Sequence, residues 1–143
     1  MRVSHIDFDS MTTTLETKLE IGSWDEQPYR EFDDGRKFTR AEVTLKGADG
    51  LDSATYEGLM YYAADGTSSY VTSMQLTGTL DGRSGSVVLQ GYGTYDGTTA
   101  SGRMHVVPGS GTGELAGISG SATSSSTHDD YPFMPLTLTY DLG

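Results

Sequence analysis

Five Asp-Gly pairs punctuate this chain, at Asp34-Gly35, Asp49-Gly50, Asp65-Gly66, Asp81-Gly82 and Asp96-Gly97, spaced 15, 16, 16 and 15 residues apart. Asp-Gly suits a two-residue type I′ hairpin, because both turn residues there take positive φ. A hairpin at that interval implies consecutive antiparallel strands of about twelve to fourteen residues. No other feature constrains the fold as strongly.

With 143 residues the chain has room for one core, and nineteen Gly among runs of Thr, Ser, Tyr and Val favour a sheet protein. No window keeps helical apolar spacing. The formal charge of −11, from 20 acidic and 9 basic residues, speaks against nucleic-acid and anionic-membrane partners. Cysteine is absent, which excludes disulfides, thiolate nucleophiles and Cys-ligated metals. No basic region leads into an apolar stretch at the N-terminus and no apolar run has membrane-spanning length, so a cytoplasmic location is expected. Residues 1–11 are read as a leader and 12–143 as a single domain.

Strand-like sequence covers about 12–23 and, after a charged loop at 25–37, about 38–46. A meander through the Asp-Gly turns continues at about 52–64, 67–80, 83–95 and 98–107. The Gly-rich segment 109–120 precedes a thin strand ending near 125, and a polar loop at 126–131 leads to a last strand at 133–142. Eight long antiparallel strands predict an all-β fold, a closed eight-stranded up-and-down barrel without an exposed edge. An open two-layer sandwich would usually need shorter strands.

Two-residue closure at Asp65-Gly66 sets Tyr61 opposite Tyr70, Leu59 opposite Thr72 and Glu57 opposite Met74. Across Asp81-Gly82, Met74 meets Leu89, Thr72 meets Gly91 and Tyr70 meets Gly93. Across Asp96-Gly97, Leu89 meets Met104, Gly91 meets Gly102 and Gly93 meets Ala100. These registers select one interior face, and they require a loop of odd length at Asp49-Gly50. Missing side chains at Gly91, Gly93, Gly102 and Ala100 point to a cavity above a bulky Met74, Leu89 and Met104 layer. The competing reading is that the glycines only relieve strand curvature.

The expected pocket is therefore lined by Leu59, Tyr61, Tyr70, Thr72, Met74, Leu89, Gly91, Tyr95 and Met104. Its rim gathers Trp24, Glu26, His128 and Tyr131, because the loops 25–37 and 126–131 share one end with the turns at Gly66 and Gly97. Glu57, an ionisable group expected to face apolar neighbours, is the candidate general acid or base. Pairing with Arg40 or Lys18 is its blander alternative. His128 beside Asp129 and Asp130 reads first as a solvated turn, and three dispersed histidines make no metal set. Gly111 to Ala116 formally fits a dinucleotide fingerprint, but no βαβ unit surrounds it.

The segments Ser23-Trp-Asp-Glu-Gln-Pro-Tyr29, Gly82-Arg-Ser-Gly-Ser86 and Val106-Val-Pro-Gly-Ser-Gly-Thr-Gly-Glu-Leu-Ala-Gly117 resemble the bacterial domain of unknown function family 3224. That family is similar in fold to allene oxide cyclase and dirigent proteins. The chain departs from its pattern at Met74, Gly91 and Met104, where members carry Glu, His and Trp, while Glu57 matches it. The resemblance implies a barrel that binds a small hydrophobic molecule, with cofactor-independent cyclase or isomerase activity as its enzymatic form. It also implies no cofactor and a homo-oligomer. A non-catalytic carrier and an oligomeric interaction module with a filled barrel are the alternatives.

Overall fold

The computed structural model describes the backbone of residues 3–7 and the whole of residues 12–143. Nine strands follow one another in a single antiparallel sheet: β1 (Val3–Asp7), β2 (Thr12–Glu31), β3 (Lys37–Lys46), β4 (Leu51–Tyr62), β5 (Ser68–Leu80), β6 (Arg83–Tyr95), β7 (Ala100–Val106), β8 (Ser119–Ser126) and β9 (Phe133–Asp141). β2 also pairs with β9, from Thr13 opposite Tyr140 to Glu20 opposite Phe133, so β2 to β9 form a ring-like, barrel-like sheet of eight strands. The anticipated leader thus contributes a strand, β1, which pairs with the start of β2. Residues 1, 2 and 8–11 of that leader lie outside the described residues.

The Asp-Gly turns divide into two kinds. Asp49 and Gly50 have φ of 55° and 94°, Asp81 and Gly82 of 49° and 78°, so both pairs are two-residue turns with positive φ throughout. Their carboxylates reach the interior of the lower rim, where Asp49 accepts a hydrogen bond from Thr17 at 2.7 Å and Asp81 one from Tyr140 at 2.9 Å. At Gly35, Gly66 and Gly97 only the glycine has positive φ. There the preceding Asp accepts backbone N–H groups ahead of it, as Asp65 does from Thr67 and Asp96 from Thr98 and Thr99.

This difference corrects the expected register. At Asp65-Gly66 the Ala63 N–H bonds the Thr67 carbonyl, leaving Ala64, Asp65 and Gly66 in a three-residue loop. Met60, not Tyr61, then faces Tyr70, and Tyr56 faces Met74. A slip of one residue turns every β4 side chain to the opposite face. Asp49-Gly50, expected to be odd, keeps the even register, with Glu42 opposite Glu57 and Val43 opposite Tyr56. Asp81-Gly82 pairs as expected, Met74 with Leu89 and Tyr70 with Gly93. At Asp96-Gly97 the Asp96 N–H bonds the Thr99 carbonyl, so the loop centres on Gly97 and Thr98 and β7 slides by two positions, which preserves its faces but sets Val106, not Met104, opposite Leu89.

The charged loop expected at 25–37 is mostly strand: β2 continues to Glu31. Bulges interrupt its pairing with β3 between Ile21 and Ser23 and between Pro28 and Arg30. One extra residue changes which side chains point inward. Leu15, Leu19 and Ile21 face the core below the first bulge, and Trp24 and Glu26 pair with the inward Val43 and Ala41 above it.

The lower half of the ring is filled. Leu15, Leu19, Met74, Leu76, Val87, Leu89, Leu136 and Leu138 are each at most 1% exposed. β7 ends opposite Leu89, so the Gly-rich segment covers the rest of β6: Thr112 N–H bonds Ser86, Val107 N–H bonds Val88, and Leu115 and Ile118 are buried across the base. Burial of this order drives a single core. No helix among the described residues is long and apolar enough to cross a membrane.

Candidate ligand-binding site

Above that core the ring encloses a cavity of about 470 Å³, within the range of about 300–1,000 Å³ usual for small-molecule sites. Its walls include Ile21, Val43, Leu45, Tyr56, Met60, Tyr62, Tyr70, Thr72, Ala100, Gly102, Met104 and Met134, and its mouth Trp24, Tyr95, His128 and Phe133. The upper part of β2 pairs only with β3, while Ile21 N–H bonds the Pro132 carbonyl. The mouth therefore lies between the β2–β3 arm and the turn at His128–Asp130.

Of the residues expected in the pocket, Tyr70, Thr72, Tyr95 and Met104 line it, as do Trp24 and His128 from the expected rim. Met74 and Leu89 are fully buried beneath it. Leu59 and Tyr61 are corrected: the β4 slip turns them outward, leaving Leu59 49% exposed and Tyr61 packed on Phe38 at 5.2 Å. Glu57 is turned outward with them. Its side chain is 59% exposed and lies 3.8 Å from Arg40, so it meets solvent and not the cavity. Tyr131, 73% exposed, is also outside the lining.

Two of the glycines add no room. A Cβ at Gly91 would sit 1.8 Å from the Arg103 carbonyl oxygen, and one at Gly93 would sit 2.4 Å from the Tyr70 ring, which lies across it. At Gly91 the reason for a glycine is the close approach of the β7 backbone. Gly102 and Ala100 do border the open space.

Sequence reasoning missed Tyr56, Met60 and Tyr62, the residues that replace Glu57, Leu59 and Tyr61. A signal existed: Ala54, Tyr56, Gly58, Met60 and Tyr62 form the less polar alternation of β4, against Ser53, Thr55, Glu57, Leu59 and Tyr61. Tyr56 and Tyr70 bring phenolic hydroxyls to an otherwise apolar space. Neither hydroxyl bonds another described residue and both remain accessible from the cavity, whereas Tyr62 donates to Glu26. Burial raises the pKa of Tyr56 and Tyr70, so both stay neutral donors at physiological pH.

Glu26 anchors the mouth. Its Oε2 accepts from Thr39 at 2.6 Å and from Tyr62, and its Oε1 accepts from the Trp24 indole at 3.0 Å. Burial raises its pKa, but those three hydrogen bonds and the Lys37 charge outweigh burial and hold it below its ordinary value of 4.5. Across the mouth the Tyr95 hydroxyl lies 3.2 Å from His128 Nε2. No three His, Asp or Glu side chains among the described residues converge as a metal-binding group.

These shifts predict a stability plateau. Glu26, with its lowered folded value, stabilises the fold above its ordinary 4.5 and loses that contribution as pH falls through the folded value. Burial first, then hydrogen bonds to carboxylates, push Tyr62 and Tyr140 well above 10.0, so their contribution fades as pH rises past 10.0. Urea midpoints should be flat between about pH 5 and 9 and fall on both sides. Glu26→Gln should lower the midpoint at neutral pH and converge on the wild type in acid. An equal deficit at both pH values would remove Glu26 from the acid limb.

The family model described as "Protein of unknown function (DUF3224)" matches residues 15–140. A solved structure described as a protein with unknown function from that family, from Shewanella oneidensis MR-1, superposes with a TM-score of 0.67 at 26% identity. The match covers 89% of this chain and 96% of that one. No curated protein matches the sequence.

Proposed function

Because the chain belongs to the DUF3224 family, whose function is unknown, its own cavity has to supply the reading, and we propose that it binds one small, mainly hydrophobic molecule carrying a polar group. The observation behind this reading is the pair of unpartnered hydroxyls on Tyr56 and Tyr70 within apolar walls. Both hydroxyls stay accessible from the cavity, so a ligand oxygen can take the place of solvent as their acceptor. Apolar walls supply affinity, and the two phenols orient the molecule. The expected likeness to allene oxide cyclase and dirigent barrels belongs to this proposal, as do a cytoplasmic location and assembly into a homo-oligomer.

Trp24 is the sole tryptophan of the chain and borders the mouth, so it reports occupancy directly. Titration with medium-chain alcohols and the corresponding alkanes should change its fluorescence, the alcohols binding more tightly. Tyr56→Phe and Tyr70→Phe should each erase about tenfold of that alcohol preference, the worth of one hydrogen bond. If neither series perturbs Trp24 or binds by calorimetry, the cavity is not a ligand site.

Cyclase or isomerase chemistry is the second reading, favoured by the phenol–imidazole pair of Tyr95 and His128 at the mouth. Such a pair can move a proton to or from a bound molecule. With Glu57 outside, it takes the acid–base role. His128→Ala that keeps ligand affinity but stops turnover of an identified substrate would favour an enzyme over a carrier.

A further inference from the structure

The outer face of the ring carries a feature that the cavity does not explain. Cross-strand pairing lines up Arg40, Leu59, Val71, Tyr92 and Arg103 as one row across β3 to β7. Leu59, Val71 and Tyr92 are 49%, 57% and 63% exposed, side by side on a face otherwise rich in Ser, Thr and Gln. Isolated exposed apolar residues need no explanation, but three contiguous ones mark a contact surface.

The two ends of the row differ in charge. At the β3 end Arg40 lies 2.9 Å from Glu42 and 3.8 Å from Glu57, two carboxylates for one guanidinium. At the β7 end Arg103 has no ion-pair partner among the described residues. Beside Leu59 and Val71 the surface is hollowed into a groove of about 590 Å³, bordered by Gly58, Gly91, Arg40 and Glu57. Tyr92, the most exposed side chain of the three, sits on the other side of Val71.

We propose that this row is the contact surface between two copies of the chain, related by a two-fold axis that runs along β5 over Val71. Such an axis sets Val71 against its equivalent, Tyr92 over Leu59 of the other copy, and Arg103 over the Arg40 end. Each Tyr92 ring then enters the groove of the other copy, and each Arg103 reaches the surplus carboxylate at Glu42 and Glu57. A two-fold axis perpendicular to the strands would instead stack Arg40 on Arg40 and leave both Arg103 side chains unpaired. Charge complementarity therefore selects one arrangement and one occupant, a second copy. The face of a small ring is convex, so the contact is a small one and the dimer is expected to be weak and concentration-dependent.

Sedimentation velocity over about a hundredfold range of micromolar concentration tests this. The mass should rise from 15.3 kDa towards twice that value. Tyr92→Ser and Arg103→Glu should each weaken the dimer at least about tenfold, as expected of a seated aromatic and a paired charge. Arg103→Glu combined with Glu57→Lys should restore it, and Tyr92→Phe should behave as wild type. All three altered positions are exposed, and circular dichroism will confirm that each variant is folded. A wild type that stays monomeric, a trimer, or a dimer indifferent to Tyr92→Ser and Arg103→Glu would overturn the proposal.

Discussion

Leucine in place of Gly102 is expected to abolish ligand uptake while leaving the fold intact. Gly102 borders the cavity from β7, opposite Gly93. Its backbone is not among those with positive φ, and a Cβ there would meet nothing closer than 3.7 Å, from the Tyr92 carbonyl oxygen. A side chain is therefore tolerated at its root, and the rest of the leucine has only the cavity to occupy. Binding of the alcohols that perturb Trp24 should fall at least about 100-fold, equivalent to about 2.7 kcal/mol. Stability should hold or rise by up to about 1 kcal/mol, since glycine within a strand is itself unfavourable. Undiminished binding in a folded Gly102→Leu protein would relocate the ligand outside the ring.

Gly120→Ala should have the largest effect on stability, about 4 kcal/mol or more in urea denaturation. Two independent penalties coincide there. Gly120 has φ of +150°, which L side chains rarely adopt, and an added Cβ would lie 2.1 Å from the Thr139 carbonyl oxygen. Relief requires β8 to leave β9, which breaks the ring beside the buried Ala122 and Leu138 pair. Gly66→Ala separates the two penalties, because φ there is +89° with nothing within 4 Å of the new Cβ. That substitution should cost only about 1–2 kcal/mol. Equal losses at both positions would show that backbone strain alone is at work and that β8 and β9 are not in rigid contact.

Much of the fold was legible because a strand exposes its face through alternation. The pairing of β5 with β6 follows from Asp81-Gly82, and the last strand, expected at 133–142, spans Phe133–Asp141. β4 was misread because Asp-Gly does not specify one turn. Asp can take positive φ beside Gly, as at Asp49 and Asp81, or lend its carboxylate to the following N–H groups while Gly alone does so, as at Asp65. The two options differ by one residue, and one residue reverses a strand. The conflict between the turns at Gly50 and Gly66 was visible in the sequence, but the odd loop was assigned to the wrong one. Agreement among two-residue closures at Gly66, Gly82 and Gly97 favours an odd loop at Gly50, whereas the less polar alternation of Tyr56, Met60 and Tyr62 favours the one at Gly66 that the structure has. Trp24 and Glu26 were placed at the rim, yet as loop residues; a bulge near Gly22 brings them there on a continuing strand.

The Asp-Gly rhythm by itself determined an all-β meander, the order of its strands and which turns share a rim, because hairpin spacing and period-two alternation are local properties. Tertiary structure decided between the two competing β4 registers, and with it whether Glu57 or Tyr56 joins Tyr70 at the cavity. It also decided which glycines leave space: Gly102 does, while Gly91 is filled by the approach of β7. Those outcomes depend on loop length and on the distance between neighbouring backbones, which the ring sets as a whole when β2 closes on β9.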